Sequence, residues 1–131
     1  MKYLVDSDWV ADYLKGRPNA VALLDQLFSD GLAISIITFA EVYEGIYYGS
    51  DPKDNEEIFL RFLQGVRVPG ITRSVARRFA IIRGALRARG ELIPQPDILI
   101  AATALSYNLI LLTRNIKDFQ RIPEITLYQS A

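Results

Sequence analysis

Short apolar runs alternate with helix-forming segments along this chain, and that alternation restricts the folds open to it more than any other feature. Residues 3–5, 32–36, 66–68, 109–112 and 125–128 read as short strands. Between them, helices are expected over 9–15, from a cap at Asn19 to Gly31, over 41–48 from a cap at Thr38, over 51–63, over 74–89, from Pro96 to Tyr107, and over 116–120. Gly16-Arg17-Pro18 and Gly90 are the clearest stops. In the 74–89 segment Val75, Phe79, Ile82 and Leu86 recur at spacings of 4, 3 and 4, one face of a helix. Strands that are apolar throughout must be covered on both faces, and helices between them supply the cover. The expectation is a three-layer α/β/α sandwich around a short parallel sheet, in one domain spanning 1–131. Ligands of such sheets bind beyond the carboxyl ends of the strands. Asp6, after the first strand, and residues 113–115, after the fourth, should therefore share one mouth.

The chemistry available at that mouth is narrow. The chain has no histidine and no cysteine. Serine–histidine and cysteine–histidine triads, imidazole bases and zinc–thiolate sites are excluded. If the protein is an enzyme, carboxylates and a hard metal carry the reaction. Residues 1–10 read as a strand bearing Asp6 rather than a leader, and no apolar run of membrane-spanning length follows. A cytoplasmic protein with no membrane contact is expected.

Four acids stand out by position. Asp6 directly follows a buried strand, where a carboxylate needs partners. Glu41 lies three residues after Thr38, Asp97 follows Pro96 at a helix start, and Asp118 lies in the short helix after the fourth strand. Such a set suits Mg²⁺ or Mn²⁺, which prefers oxygen ligands and keeps several waters. Structural uses compete. Asp97 and Asp118 are placed to cap helices or complement their dipoles. Thr38 and Glu41 have the spacing of a capping box.

Charge is uneven in a chain of zero formal net charge. Residues 41–60 hold six acids and one lysine, whereas 61–90 hold eight arginines and no acid. The arginines suit phosphate binding, but on charge alone a solvated helix face is the commoner explanation. Arg83 and Arg87 lie one turn apart, and Arg89 precedes the loop to Asp97.

From end to end the chain resembles the PIN-domain ribonucleases, in particular the VapC-type toxins of type II toxin–antitoxin systems. Tyr3-Leu4-Val5-Asp6-Ser7-Asp8 resembles the opening strand and its acidic motif. Thr38-Phe39-Ala40-Glu41-Val42-Tyr43-Glu44-Gly45 resembles the helix with the second acid. The segment from Arg89 through Pro96-Asp97-Ile98 to Ala104 resembles the third motif, and Leu112-Thr113-Arg114-Asn115-Ile116-Lys117-Asp118-Phe119 the last. The resemblance implies a PIN-like fold and a metal-dependent endoribonuclease neutralised by a cognate antitoxin. It implies Mg²⁺ or Mn²⁺ on Asp6, Glu41 and Asp97. For the fourth acid it leaves Asp118 and the Asn115 region open, with Asp118 preferred. Ser7, Asp8, Glu44, Thr113 and Asn115 are expected helpers. Asp8 stands where asparagine is usual, adding a charge or forming an ion pair. Arg83, Arg87 and Arg89 are the expected RNA contacts.

Two other functions fit parts of the pattern. Val5-Asp6-Ser7-Asp8-Trp9-Val10 also matches the opening motif of haloacid-dehalogenase-like phosphatases, with Asp6 as nucleophile. That family needs a downstream lysine and a late aspartate pair. Here the only lysine after Lys53 is Lys117, and no two aspartates are adjacent. A catalytically silent PIN-like binding module is the other alternative. Trp9, Tyr13, Tyr43, Tyr47 and Tyr48 are plentiful for a core of this size, which points to a homodimer and an apolar groove for an amphipathic antitoxin helix. Gly45 is expected to let its helix approach the sheet closely.

Overall fold

The computed structural model describes residues 1–129. Strands β1 (Tyr3–Val5), β2 (Leu32–Ala33), β3 (Val66–Arg67) and β4 (Ile110–Leu112) form one parallel sheet in the order β3-β2-β1-β4. The chain steps outward from β1 to β3, then crosses to the other side of β1 to lay down β4. Val5 lies opposite Leu112, so β1 and β4 end level with each other. Their carboxyl ends form the crevice at which this topology reverses direction.

Among the described residues seven α-helices flank the sheet: α1 (Ser7–Leu14), α2 (Pro18–Leu27), α3 (Ile36–Tyr47), α4 (Pro52–Leu63), α5 (Arg73–Ala88), α6 (Gln95–Ser106) and α7 (Ile116–Phe119). Side chains on successive strand residues point to opposite faces. Leu4 accordingly joins Val75, Ile82, Leu86, Ile98 and Phe119 on one face. Val5 joins Val10, Leu24, Ile34, Phe59 and Phe62 on the other. The result is the expected three-layer α/β/α arrangement. Among the described residues no helix is long and apolar enough to cross a membrane.

Several boundaries differ from the sequence reading, each through local hydrogen bonding. Ser35, not Thr38, caps α3: it is extended, and its side chain accepts from the Thr38 backbone N–H. β2 is thereby cut to two residues, and Glu41 lies beyond the first turn of α3 rather than in a capping box. Asp6 itself caps α1, so that helix starts at Ser7 instead of residue 9. Pro18 opens α2 because its fixed φ and missing N–H suit the first helical position, leaving Asn19 inside the helix. The expected strand at 125–128 reduces to one parallel bridge between Leu111 and Leu127. Gly45 is no close-approach residue: a Cβ there would meet nothing within 4 Å. It instead lines an apolar groove of about 280 Å³ between α1, α3 and α4, with Ala11, Leu14, Val42, Ile46 and Ile58.

Candidate active site

The site is built where β1 and β4 end. Backbone pairing continues one residue past β1, with Asp6 N–H donating to the Leu112 carbonyl at 2.9 Å. That bond fixes Asp6 beside Thr113. The Thr113 hydroxyl donates to Asp6 Oδ2 at 2.7 Å, and the Ser7 backbone N–H donates to Asp6 Oδ1 at 2.8 Å. Each carboxylate oxygen can accept more than one hydrogen bond and here accepts one, so both retain a lone pair for a ligand. Burial raises the pKa of Asp6, as does the nearby Asp8 charge, while the bonds from Thr113 and Ser7 oppose the rise.

Glu41 is brought in from α3. Ser7 Oγ donates to Glu41 Oε1 at 2.8 Å and lies 3.2 Å from Thr38 Oγ1. Thr38 is in turn 3.2 Å from Ser35 Oγ. The residues preceding Glu41 thus form a hydroxyl ladder, running from the cap of α3 to the first turn of α1. Sequence reasoning missed this ladder. Its signal was the Ser35 hydroxyl three residues before Thr38, the same spacing that was assigned to Thr38 and Glu41.

Asp118, in α7, is held by Asn115, the residue that precedes that helix. Asn115 Nδ2 donates to Asp118 Oδ2 at 3.1 Å, and the Asn115 backbone N–H donates to Thr113 Oγ1 at 3.0 Å. A hydrogen-bonded chain therefore runs from Asp118 through Asn115 and Thr113 to Asp6. Asn115 orients an acid here, and its own side chain offers no charge.

Asp97, in the first turn of α6, lies within the field of all the others. Its pKa is pushed up to about 6, first by burial and then by the charges of Asp6, Asp118, Glu41 and Asp8. The charges that raise it are thus all carboxylates, a concentration of like charge with no arginine in the balance. Asp8 is exposed and forms no ion pair among the described residues. Its charge is among those that raise the pKa of Asp97 and Asp6. Glu44 is exposed and is not among the charges acting on Asp97.

No arginine is among the charges acting on Asp97. Arg83, Arg87 and Arg89 are carried by or directly follow α5. Arg89 is engaged with Glu91 at 3.0 Å and with the Arg121 carbonyl at 2.6 Å, and Arg83 Nε is buried without a partner. Arg87 is exposed.

The donor set consists of oxygens alone, which suits a hard cation such as Mg²⁺ or Mn²⁺ and no softer metal. Among the described residues no three acidic groups are drawn tightly enough together to hold an ion directly. Mutual repulsion spreads uncompensated carboxylates, and a cation that keeps its waters is bound through few direct ligands. The residues fit a hydrated divalent ion.

Known proteins are similar to this chain in sequence and fold. The PIN domain family matches residues 3–125. Ribonuclease VapC2 of Haemophilus influenzae is 31% identical over 122 residues, covering 93% of this chain and 92% of that protein. Ribonuclease VapC1 of Methanocaldococcus jannaschii is 36% identical over 126 residues, covering 96% and 85%. Among solved structures, VapBC2 from Rickettsia felis, bound to a DNA fragment from its promoter, superposes with a TM-score of 0.90 at 26% identity over the full length of both chains. With the motifs, the topology and these relatives in agreement, the chain belongs to the PIN-domain family, in its VapC branch.

Proposed function

We propose that this protein is a divalent-metal-dependent endoribonuclease, a VapC-like toxin that acts in the cytoplasm and is neutralised by a cognate antitoxin. The observation that carries the reading is the acidic crevice itself: Asp6, Glu41, Asp97 and Asp118 share one field at the ends of β1 and β4. With family membership established, the phosphatase alternative lapses. The silent binding module is opposed by the care with which Thr113, Ser7 and Asn115 hold three of the four acids.

Asp6, Glu41, Asp97 and Asp118 would hold the metal. Bound there, Mg²⁺ or Mn²⁺ supplies activation of a water and charge neutralisation at the phosphodiester. The protein's own contribution is to fix the carboxylates. Thr113 and the Ser7 N–H keep the Asp6 carboxylate from rotating, Ser7 Oγ ties Glu41 to the same turn, and Asn115 aims Asp118. Preset ligands need no reorganisation when the substrate arrives. At Asp97, with its pKa pushed up to about 6, protons and a cation compete as pH falls toward that value.

The partner surface is the apolar groove between α1, α3 and α4, which suits the apolar face of an amphipathic helix. Tyr47 and Tyr48, 61% and 89% exposed, extend the aromatic surface of α3 and support self-association as a homodimer.

Two measurements test the reading. Single-stranded RNA is incubated with the purified protein in Mg²⁺ or Mn²⁺ and in a chelator, and Mn²⁺ binding is titrated directly. Metal-dependent cleavage that is lost in Asp6→Asn and Asp97→Asn is expected. Metal binding without cleavage of any RNA would favour the silent module.

A further inference from the structure

Beside the acidic crevice lies a group of residues that the reading above leaves unused. Arg114 directly follows Thr113, whose hydroxyl grips Asp6. The Arg114 guanidinium carbon lies 4.2 Å from the centre of the Trp9 ring, and Trp9 sits in the first turn of α1, three residues after Asp6. Arg114 Nη1 donates to Asp12 Oδ2 at 2.6 Å, and the other Asp12 oxygen is 3.2 Å from Arg17 Nε. A ring at one face and a carboxylate at one edge thus set the guanidinium plane.

Stability does not account for this arrangement. The Arg114 and Arg17 side chains are 42% and 62% exposed, and ion pairs at such positions contribute little. What the arrangement does is orient a cation that is otherwise free. A guanidinium has five N–H donors, and Arg114 makes one side-chain hydrogen bond among the described residues. A planar fork held in advance loses little freedom when it engages a ligand. The location matters as much. The neighbouring charges felt by Asp97 are all negative, so a polyanion meets repulsion unless a fixed cation stands at the rim.

We propose that Arg114, held by Trp9 and positioned by Asp12, contacts the RNA nucleotide next to the cleaved phosphate. Its exposed face stacks on the base, and its free donors meet the phosphate. Unpaired bases stack on guanidinium planes as they do on aromatic rings, and Trp9 beneath the arginine continues the stack. This inference rests on the nuclease reading.

The test separates the two. A short fluorescent single-stranded RNA is bound to the Asp97→Asn protein across a salt series, so that no cleavage intervenes. Adding Arg114→Ala should weaken binding about tenfold, the scale of one lost base stack. It should also reduce the salt slope by about 0.7, one phosphate contact on a single strand. Arg114→Lys should restore the slope but not the affinity, because an ammonium carries the charge without the plane. Mn²⁺ affinity of the Arg114→Ala single variant should equal that of the unsubstituted protein. RNA affinity within about twofold of the parent's in Arg114→Ala would overturn the inference alone. A matching loss of Mn²⁺ affinity would overturn it too, by showing that Arg114 acts through the acids. RNA binding retained while antitoxin binding falls would reassign the residue to the protein partner. Should Arg114→Ala not fold, Arg114→Lys decides, with full affinity the overturning result. No RNA binding by the Asp97→Asn parent would overturn the nuclease reading and this inference with it.

Discussion

Thr113 Oγ1 donates to Asp6 Oδ2 at 2.7 Å across 107 residues of chain, and the same oxygen accepts from the Asn115 backbone N–H. One hydroxyl therefore ties the end of β1 to the end of β4 and to the start of α7, which carries Asp118. Thr113→Val keeps the shape and removes that link. RNA cleavage in Mn²⁺ should fall about 10- to 100-fold, the usual cost of losing a group that orients a metal ligand. Thr113→Ser should retain most of the activity. A Thr113→Val protein with full activity would mean that the backbone alone holds Asp6.

Asp97 predicts a pH dependence of stability in the metal-free protein. Its folded pKa of about 6 lies above the ordinary value of 3.8, so between those values the folded state binds the proton and the unfolded chain does not. The stability tied to that proton is complete below pH 3.8 and is lost as pH rises through 6. Asp97 is partly exposed and water screens it, so the contribution is on the order of 1 kcal/mol. Melting temperatures in a chelator should fall from pH 4 to pH 7 more steeply for the parent than for Asp97→Asn. Parallel curves would show that Asp97 does not carry the repulsion.

How much of this was legible in one dimension depends on whether the deciding contact is local. Asp6 was legible because a carboxylate directly after an apolar strand has few structural uses. The three layers were legible from apolar runs too short and too uniform for any other arrangement. The start of α3 was not. Ser35 and Thr38 both have capping side chains, and the extended backbone that Ser35 adopts after Ile34 pairs with Arg67 decides between them. The stacking of Arg114 on Trp9 spans 105 positions and exists only because β1 and β4 are neighbours. No spacing rule reaches that far. The arginine run was visible as charge, but charge does not say which side of a helix faces the crevice.

The fourth acid is decided by ranking two variants. Asn115 donates to Asp118, so Asp118→Asn removes a charge from the crevice and Asn115→Ala only loosens that charge. Cleavage should fall by orders of magnitude in Asp118→Asn and by about tenfold in Asn115→Ala. The reverse ranking would shift the fourth ligand to the neighbourhood of Asn115.

Arg83 and Arg87, one turn apart on α5, should behave differently under charge reversal. Arg83 Nε is buried without a partner, so Arg83→Glu places an unpaired acid against the core and should cost about 1–3 kcal/mol of stability. Arg87 is exposed, and Arg87→Glu should leave the melting temperature nearly unchanged. If Arg87 meets RNA, the slope of log affinity against log salt falls by about 0.7 in Arg87→Glu. An unchanged slope removes Arg87 from the RNA surface.

Gly45 offers the cleanest separation of partner binding from catalysis. A Cβ there meets nothing within 4 Å, and the residue lines the groove between α1, α3 and α4 on the α3 turn that follows Glu41. Gly45→Leu puts a strong helix former in place of a weak one, which should raise stability by about 0.5–1 kcal/mol. The added side chain occupies groove volume that an antitoxin helix would otherwise fill. Antitoxin affinity should therefore fall at least about tenfold, since the displaced contacts are apolar. RNA cleavage by the free protein should be unchanged, because a Cβ at Gly45 meets the side chain of none of the four acids. Calorimetric titration with the antitoxin, set beside a cleavage assay of the same preparation, reads both quantities. Unaltered antitoxin affinity in a folded Gly45→Leu protein would move the partner off this groove.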